Sequence, residues 1–318
     1  MNLLVTGGAG FIGSNFLRLI FSQHSNWDQI IVVDNLTYAG NLSSISEFME
    51  SEKFIFHKGD ISDERFIEEI LEGVHSVVNF AAESHVDRSI NSSRQFINSN
   101  VLGTQNLLHI AKRKSVQTFV QISTDEVYGS INVGSWDENQ PLKPNSPYAA
   151  SKASSDHFAL AYFNTYGMDV RITRCSNNYG PYQHIEKAIP TFITSLLSGK
   201  QIPLYGNGKN IRDWLHVNDH CQAIKLVLEK GNPGSIYNIG GGEELSNKNL
   251  ADIILKEFGF DESKIDFIED RKGHDFRYSI DFSKIKIELG YEPKIDFYQG
   301  IKDTINWYKE NLSWWRKF

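Results

Sequence analysis

The chain carries two cysteines in 318 residues, Cys175 and Cys221. Two such thiols make no disulfide framework, and no metal-ligand spacing accompanies them. They read as small, partly buried thiols in a reducing compartment, with no metal expected. Positive charge is also short: 32 Lys and Arg against 39 Asp and Glu leave a net charge of -7 and a pI near 5.8. That removes the basic footprint that nucleic acid or an anionic membrane requires and leaves a small-molecule partner as the default. No apolar run reaches membrane-spanning length, and a first strand starting at residue 3 leaves no room for a signal peptide. The expectation is a soluble, unprocessed, cytoplasmic protein. No repeat or low-complexity tract is visible, and the length suits one large α/β unit, alone or with a smaller lobe.

What is present begins at the first residues. Leu3-Leu4-Val5-Thr6 reads as a buried strand and passes directly into Gly7-Gly8-Ala9-Gly10-Phe11-Ile12-Gly13, a G-x-x-G-x-x-G pattern at a strand-to-helix turn. Gly7 suits the tight turn, Gly10 lets backbone approach a pyrophosphate, and Gly13 lets a helix from about Ser14 to Phe21 pack on the sheet. The diphosphate would sit on amide N–H groups at the positive end of that helix. A glycine triplet alone also serves ordinary turns. Here a second strand, Ile30 to Val33, ends in Asp34, 21 residues after Gly13. A carboxylate at that point accepts the ribose hydroxyls of adenosine and repels a 2′-phosphate, so NAD is favoured over NADP.

Apolar runs at Phe54–His57, Val74–Phe80, Thr118–Ile122 and Asp169–Thr173 alternate with helical patterns near Glu64–Leu71, Ser93–Lys112 and Tyr148–Tyr166. Such alternation means βαβ units with right-handed crossovers, an α/β doubly wound parallel sheet of the Rossmann type covered on both faces. After Arg174 the texture changes to short loops with Pro181, Pro190, Pro203 and Pro233 and glycine turns at Gly206, Gly208 and Gly240 to Gly242. This suggests a dinucleotide-binding domain over 1–175 and a smaller C-terminal α+β substrate lobe over 176–318. Part of 210–240, around the helix Val217–Leu228, is expected to pack back on the first. Trp307, Trp314 and Trp315 with neighbouring basic residues read as end-of-helix packing or a contact surface.

In an open parallel sheet ligands bind beyond the carboxyl ends of the strands. Strand three is followed by Asp60 and Ile61, suited to the adenine amino group and ring, although Asp60 equally suits a helix cap. Strand four leads into Ala81, Ala82 and Ser84, small enough for a dinucleotide to lie close; His85 and Asp87 are either acid/base groups or structural hydrogen-bonding residues. Strand five ends in Ser123-Thr124-Asp125-Glu126. Adjacent carboxylates repel, which raises one pKa and keeps one acid protonated beside one ionised base, the pair a dehydration needs. Tyr148 and Lys152 are four apart and share a helix face, where Lys152 can hold the phenol near its anionic form; YxxxK alone is a common accident. A phenolate there can take a proton from a sugar hydroxyl as the same carbon releases hydride to a nicotinamide.

Together GGAGFIG at 7–13, STDEVYG at 123–129 and YAASK at 148–152 resemble the extended short-chain dehydrogenase/reductase superfamily. Along nearly its whole length the chain is similar to its nucleotide-sugar branch, the dTDP-glucose 4,6-dehydratase family. Asn177-Asn178-Tyr179-Gly180-Pro181, Arg212 to Val217 and Asp270 to Asp275 extend the match. Related epimerases typically carry a Ser/Thr-rich sequence where Thr124-Asp125-Glu126 stands. The resemblance implies a tightly held, recycled NAD, C4 oxidation, elimination of water across C5 and C6, hydride return to C6, and a place in deoxysugar synthesis such as that of rhamnose. It implies Thr124, Asp125, Glu126, Tyr148 and Lys152 as catalytic residues. Around the cofactor it places Gly7, Gly10, Phe11, Ile12, Gly13, Asp34, Asn35, Thr37, Asp60, Ile61, Ala81, Ala82, Ser84, Ser99, Tyr148, Lys152 and Asn178. Around the nucleotide sugar it places Ser84, Thr124, Asn177, Glu186, Lys187, Arg212, Asn247, Arg271 and His274, with Arg212 as the pyrophosphate clamp. It also implies a homodimer built through a four-helix bundle of Ser93–Lys112 and Tyr148–Tyr166. The chain departs at Lys272, where proline is common, and in a short 129–148 segment, which puts loop contacts there in doubt. Dehydratases or epimerases of UDP- or GDP-sugars and a non-catalytic NAD sensor are the rival readings.

Overall fold

The computed structural model describes residues 1–23 and 26–318. The strands in chain order are β1 (Asn2–Thr6), β2 (Gln29–Asp34), β3 (Phe54–Lys58), β4 (Ser76–Asn79), β5 (Thr118–Thr124), β6 (Val170–Cys175), β7 (Asn177–Tyr179), β8 (Ile202–Tyr205), β9 (Ile211–His216), β10 (Ile236–Ile239), β11 (Glu244–Ser246) and β12 (Ile265–Ile268). Among the described residues a seven-stranded sheet runs β10-β6-β5-β4-β1-β2-β3 with every pairing parallel. The expected doubly wound fold is therefore present. Its strands bury both faces: Leu3, Val5, Ile30 and Val32 point into one core, Leu4, Ile31 and Val33 into the other. The first layer is closed by the helices Phe11–Ser22 and Val217–Lys230, the second by Glu64–Ile70, Thr104–Arg113 and Pro147–Tyr166. Strand order reverses between β1 and β4, which opens the crevice at their carboxyl ends.

Two features differ from the expected elements. The helical stretch expected over Ser93–Lys112 contains a π-helical segment, Ile97–Gly103. Within it Asn100 is pulled inward: its Oδ1 accepts from Glu83 N at 2.8 Å, and its Nδ2 donates to Glu83 O at 3.0 Å and Ser151 Oγ at 2.8 Å. The wider turn gives that side chain reach to both the loop after β4 and the helix Pro147–Tyr166. Second, beyond the helix Val217–Lys230, β10 joins the large sheet beside β6, matching Ile236 with Ile172 and Ile239 with Cys175. A third hydrophobic core, containing Ile193, Ile254, Ile301 and Trp314, lies beneath the sheets β11-β9-β7 and β12-β8 and the helices Ala188–Leu197, Asn247–Glu257 and Phe297–Glu310.

The helix Pro147–Tyr166 has local signals at both ends. Ser146 caps it through Ala149 N at 3.1 Å, Pro147 presets its first turn, and Gly167 closes it in the left-handed region at φ +66°. No described helix is long and apolar enough to cross a membrane. Cys175 and Cys221 are both buried, free thiols.

Candidate active site

An open cleft with an empty volume of about 1560 Å³, part of it continuous with solvent, runs along the carboxyl ends of β1, β2, β4 and β5. Its floor is the glycine turn. A Cβ on Gly7 would lie 2.7 Å from Ala81 N, and one on Gly13 would lie 2.4 Å from Gly7 O, so neither position admits a side chain. The helix Phe11–Ser22 has Gly10 as its N-cap and no side-chain cap. Its first-turn amides are thus left to a ligand, the arrangement an anion needs. Asp34 closes the far end. Its two oxygens accept from Ala9 N at 2.9 Å and Leu36 N at 2.8 Å, and burial raises its pKa against those two bonds. Gly7, Gly10, Phe11, Ile12, Gly13, Asp34, Asn35, Thr37, Asp60, Ile61, Ala81, Ala82, Ser84, Ser99 and Asn178 all line this cleft. Asp60 is not the helix cap, which is Asp63; it accepts from Asn35 Nδ2 at 2.8 Å and Ser62 N at 2.9 Å. These residues fit a dinucleotide.

Where β5 ends, Thr124, Asp125 and Glu126 enter the same cleft with Tyr148 and Lys152. Thr124 Oγ1 donates to Asp125 Oδ1 at 3.2 Å and accepts from Glu126 N at 3.3 Å, so it ties the Asp125 carboxyl to the start of the turn that follows β5. Burial, and then the charge of Glu126, pushes Asp125 well above the usual carboxylate range. Burial also raises Glu126, but Arg212, Lys187 and Arg271 pull it back. The pair is therefore graded, with Asp125 raised further than Glu126, and the buried Oδ2 of Asp125 has no partner among the described residues. Tyr148 departs from the expectation of a phenol held near its anionic form. Burial raises it well above 10, Glu126 adds to this, and Thr124 offsets it in part. Lys152 is not its immediate partner: Nζ donates to Ile122 O at 2.6 Å, and burial lowers the lysine's own pKa.

The opposite wall comes from β7 and the loop that precedes the helix Ala188–Leu197. Asn177, Glu186 and Lys187 line the cleft, and Lys187 Nζ donates to Ser84 O at 2.8 Å. Glu186 faces Arg88 at 3.3 Å and His85 at 3.6 Å. His85 caps the helix Val86–Asn91, and Asp87 pairs with Arg271 at 3.3 Å. Arg212, Asn247, Arg271 and His274 stand outside the cleft lining. The Arg212 guanidinium is engaged by the carbonyls of Ile211 at 2.7 Å and Asp275 at 3.0 Å and lies over the Tyr278 ring at 4.3 Å. Asn247 begins the helix Asn247–Glu257, and His274 bonds Asp270 at 2.6 Å. Sequence reasoning passed over Glu83, Ser123, Ser176, Gln183 and His184, which also line the cleft. Gln183 and His184 follow the Asn177–Pro181 match after one intervening residue, Tyr182, a cue to extend it. Glu83, Ser123 and Ser176 directly adjoin Ala82, Thr124 and Asn177, residues already expected in the site.

The family model described as GDP-mannose 4,6-dehydratase matches residues 4–304. A dTDP-glucose 4,6-dehydratase of Actinoplanes sp. is 54% identical over 99% of this chain and 100% of its own length. The crystal structure of a dTDP-glucose 4,6-dehydratase from Streptomyces venezuelae, with NAD and a second ligand bound, superposes with a TM-score of 0.98 at 54% identity, covering 100% of this chain and 99% of that one. A dTDP-glucose 4,6-dehydratase from Bacillus anthracis in complex with NAD superposes with a TM-score of 0.93 at 46% identity over 100% and 99% of the two chains.

Proposed function

The chain belongs to the GDP-mannose 4,6-dehydratase family and stands within it among the dTDP-glucose 4,6-dehydratases; from that premise we propose its reaction and the residues that carry it. The protein converts dTDP-glucose to the 4-keto-6-deoxy sugar nucleotide and water, with NAD as cofactor. When bound in the cleft, NAD would supply a positive charge beside the phenol and the hydride acceptor and donor chemistry needed at C4 and C6. The glycine turn, Asp34, Asp60 and Ile61 hold its adenosine and diphosphate, while Ala81, Ala82, Ser84, Ser99, Lys152 and Asn178 hold the nicotinamide half.

With the cofactor's positive charge beside it, Tyr148 gives up its own proton to solvent and, as the phenolate, takes the proton of the sugar C4 hydroxyl, with Thr124 directing that hydroxyl. Once C4 is a ketone the C5 proton is acidic, and Glu126, the more readily ionised of the two carboxylates, removes it. Asp125 gives its proton to the C6 hydroxyl as that group leaves as water, and the C6 oxygen is the partner its lone Oδ2 lacks. Glu126 then returns the proton to C5. Asn177, Glu186, Lys187, Arg212, Asn247, Arg271 and His274 hold the nucleotide and its diphosphate. Arg212, with its guanidinium on carbonyls, acts through its charge on Glu126 as well.

The observation that carries this reading is the graded Asp125/Glu126 pair beside Tyr148 at the mouth of a dinucleotide cradle. An epimerase needs no such pair. The test is incubation of the purified protein with dTDP-, UDP- or GDP-glucose and no reductant, followed by NMR. A 4-keto-6-deoxy product from dTDP-glucose is expected; a 4-epimer, or turnover of UDP-glucose alone, contradicts it.

The cofactor is assigned mainly to residues 1–175, with part of 210–240 packed on them and Asn178 added from the second lobe, the nucleotide mainly to 176–318, and the protein to the cytoplasm. The assembly is a homodimer. Ile97, Leu102 and Phe158 are exposed on the helical stretches that a four-helix bundle would pair. Light scattering showing a monomer would overturn this last assignment.

A further inference from the structure

The aromatic segment near residue 314 does more than end a helix. Trp314 packs edge-on against Trp307 at 5.1 Å, Tyr182 at 5.6 Å and Phe318 at 5.3 Å. From this cluster two polar groups reach the loop that follows β2, about 270 residues earlier in the chain. Trp314 Nε1 donates to Ser44 Oγ at 3.1 Å, and Lys317 Nζ donates to Asn41 Oδ1 at 3.1 Å and Ser43 Oγ at 2.8 Å. The same loop lines the cleft through Thr37, Ala39 and Gly40. Asn41 N donates to Ala9 O at 3.1 Å, which ties the loop to the glycine turn.

The other arm of the cluster reaches the opposite wall. Phe318 packs edge-on against His184 at 4.7 Å, and His184 packs edge-on against Tyr38 at 5.5 Å. His184 lines the cleft, and burial lowers its pKa to about 4, so the contact is between neutral rings. Tyr182, two residues before it, sits in the left-handed region at φ +67°, strained for a tyrosine. Trp307 at 4.6 Å and the Arg18 guanidinium at 3.6 Å hold its ring there, and Arg18 also donates to Ser44 O at 2.6 Å. The segment thus grips both lips of the cleft at the Asp34 end.

We propose that Trp314, Lys317 and Phe318 form a clasp that joins the loop Thr37–Ser44 to His184 and retains NAD between turnovers. The inference rests on the dinucleotide reading of the cleft. An enzyme whose cofactor is reduced and reoxidised within one turnover gains nothing from releasing it, and the clasp supplies a physical barrier to release. These are positioning residues: they act through Asn41, Ser43, Ser44 and His184. The clasp sets how fast NAD leaves, and the Asp125/Glu126 end does not depend on it.

The test compares NAD release from wild type, Trp314→Phe with Lys317→Ala, Phe318→Ala and, as a control, Arg316→Ala. Protein loaded with NAD is diluted, and loss is followed by filtration and absorbance. Loss of these three hydrogen bonds is expected to speed release on the order of tenfold. Phe318→Ala should show a smaller increase and Arg316→Ala none. Turnover should recover toward wild type when NAD is added in excess, with the KM for dTDP-glucose unmoved. Release at the wild-type rate in folded variants overturns the proposal, as does a lowered melting temperature with retention unchanged. A wild-type protein that takes up no NAD overturns the dinucleotide reading itself, and the clasp with it.

Discussion

The two walls of the cleft are held in place by different forces. On the sheet side the positions of Gly7, Ala81 and Thr124 follow from parallel pairing and from uncharged hydrogen bonds beneath them. Thr6 donates to Asn79 at 2.5 Å and Asn79 to Gln121 at 2.8 Å, all three residues with essentially no exposure. On the loop side Glu186 and Lys187, and Arg271 outside the cleft lining, answer to Arg88, Ser84 and Asp87, and the Arg88 side chain is half-exposed. A buried neutral network gives one fixed geometry, which suits a cofactor and an acid/base pair that must not drift. Partly exposed ion pairs are worth little individually and exchange partners readily, which suits a wall that must admit and release a charged nucleotide sugar.

The sharpest way to break this comparison is at the sheet wall. Glu126→Gln is expected to lower kcat by about 10³, within the 10² to 10⁴ typical of a positioned acid/base group, while bound NAD stays at the wild-type amount. Loss of NAD together with activity would mean that the two ends of the cleft are not separable. Gly13→Ala should do the reverse. Its Cβ would meet Gly7 O at 2.4 Å, so NAD affinity should fall on the order of a hundredfold, the cost of displacing backbone that contacts the diphosphate. Calorimetry with NAD reads this, and circular dichroism checks that the variant is folded.

The loop wall should respond in binding rather than chemistry. Arg271→Ala is expected to raise the KM for dTDP-glucose about tenfold with kcat changed little, the signature of lost uniform binding. Equal losses in kcat and kcat/KM would instead place Arg271 with the reacting atoms. The smallest effect concerns stability. The folded pKa of Asp125 is raised, first by burial, so the folded state holds that proton more tightly than the unfolded chain does. The stability this provides is complete below the unfolded pKa and is lost as pH rises through the folded one. At neutral pH an ionisable carboxyl in that position is a cost that Asn lacks. Asp125→Asn should therefore melt roughly 2–4 °C higher per kcal/mol recovered, with the gain shrinking toward acid pH. An equal or lower melting temperature at neutral pH would contradict the assigned direction.

These differences also explain what could be read ahead of the structure. Gly7 to Gly13, Asp34, Thr124 to Glu126, Tyr148 and Lys152 sit in short local patterns, and the rule that ligands lie at strand ends brings such patterns together without knowledge of packing. The loop wall obeys no such rule. The guanidinium of Arg212, expected as a free clamp, is engaged by the carbonyls of Ile211 and Asp275 because the 275–277 segment lies alongside β9. The π-helical turn at Ile97–Gly103 was illegible because its cause, Asn100 reaching Glu83 and Ser151, is long-range. The return of β10 to the large sheet is likewise a pairing between distant segments. Trp314 could be read only as packing or a contact surface, since its partner Ser44 lies at the other end of the chain.

The central claim is that hydride leaves C4 and returns to C6 of one sugar in a single cleft, with Asp125 and Glu126 expelling water in between. The most direct test is to incubate the purified protein with dTDP-glucose deuterated at C4, without added reductant, and to follow the sugar by NMR. Deuterium is expected at C6 of the 4-keto-6-deoxy product, and it should remain at C4 of unconverted sugar when Tyr148→Phe replaces the wild type. Product formed without deuterium at C6, or unchanged sugar from a protein confirmed to hold NAD, would contradict it.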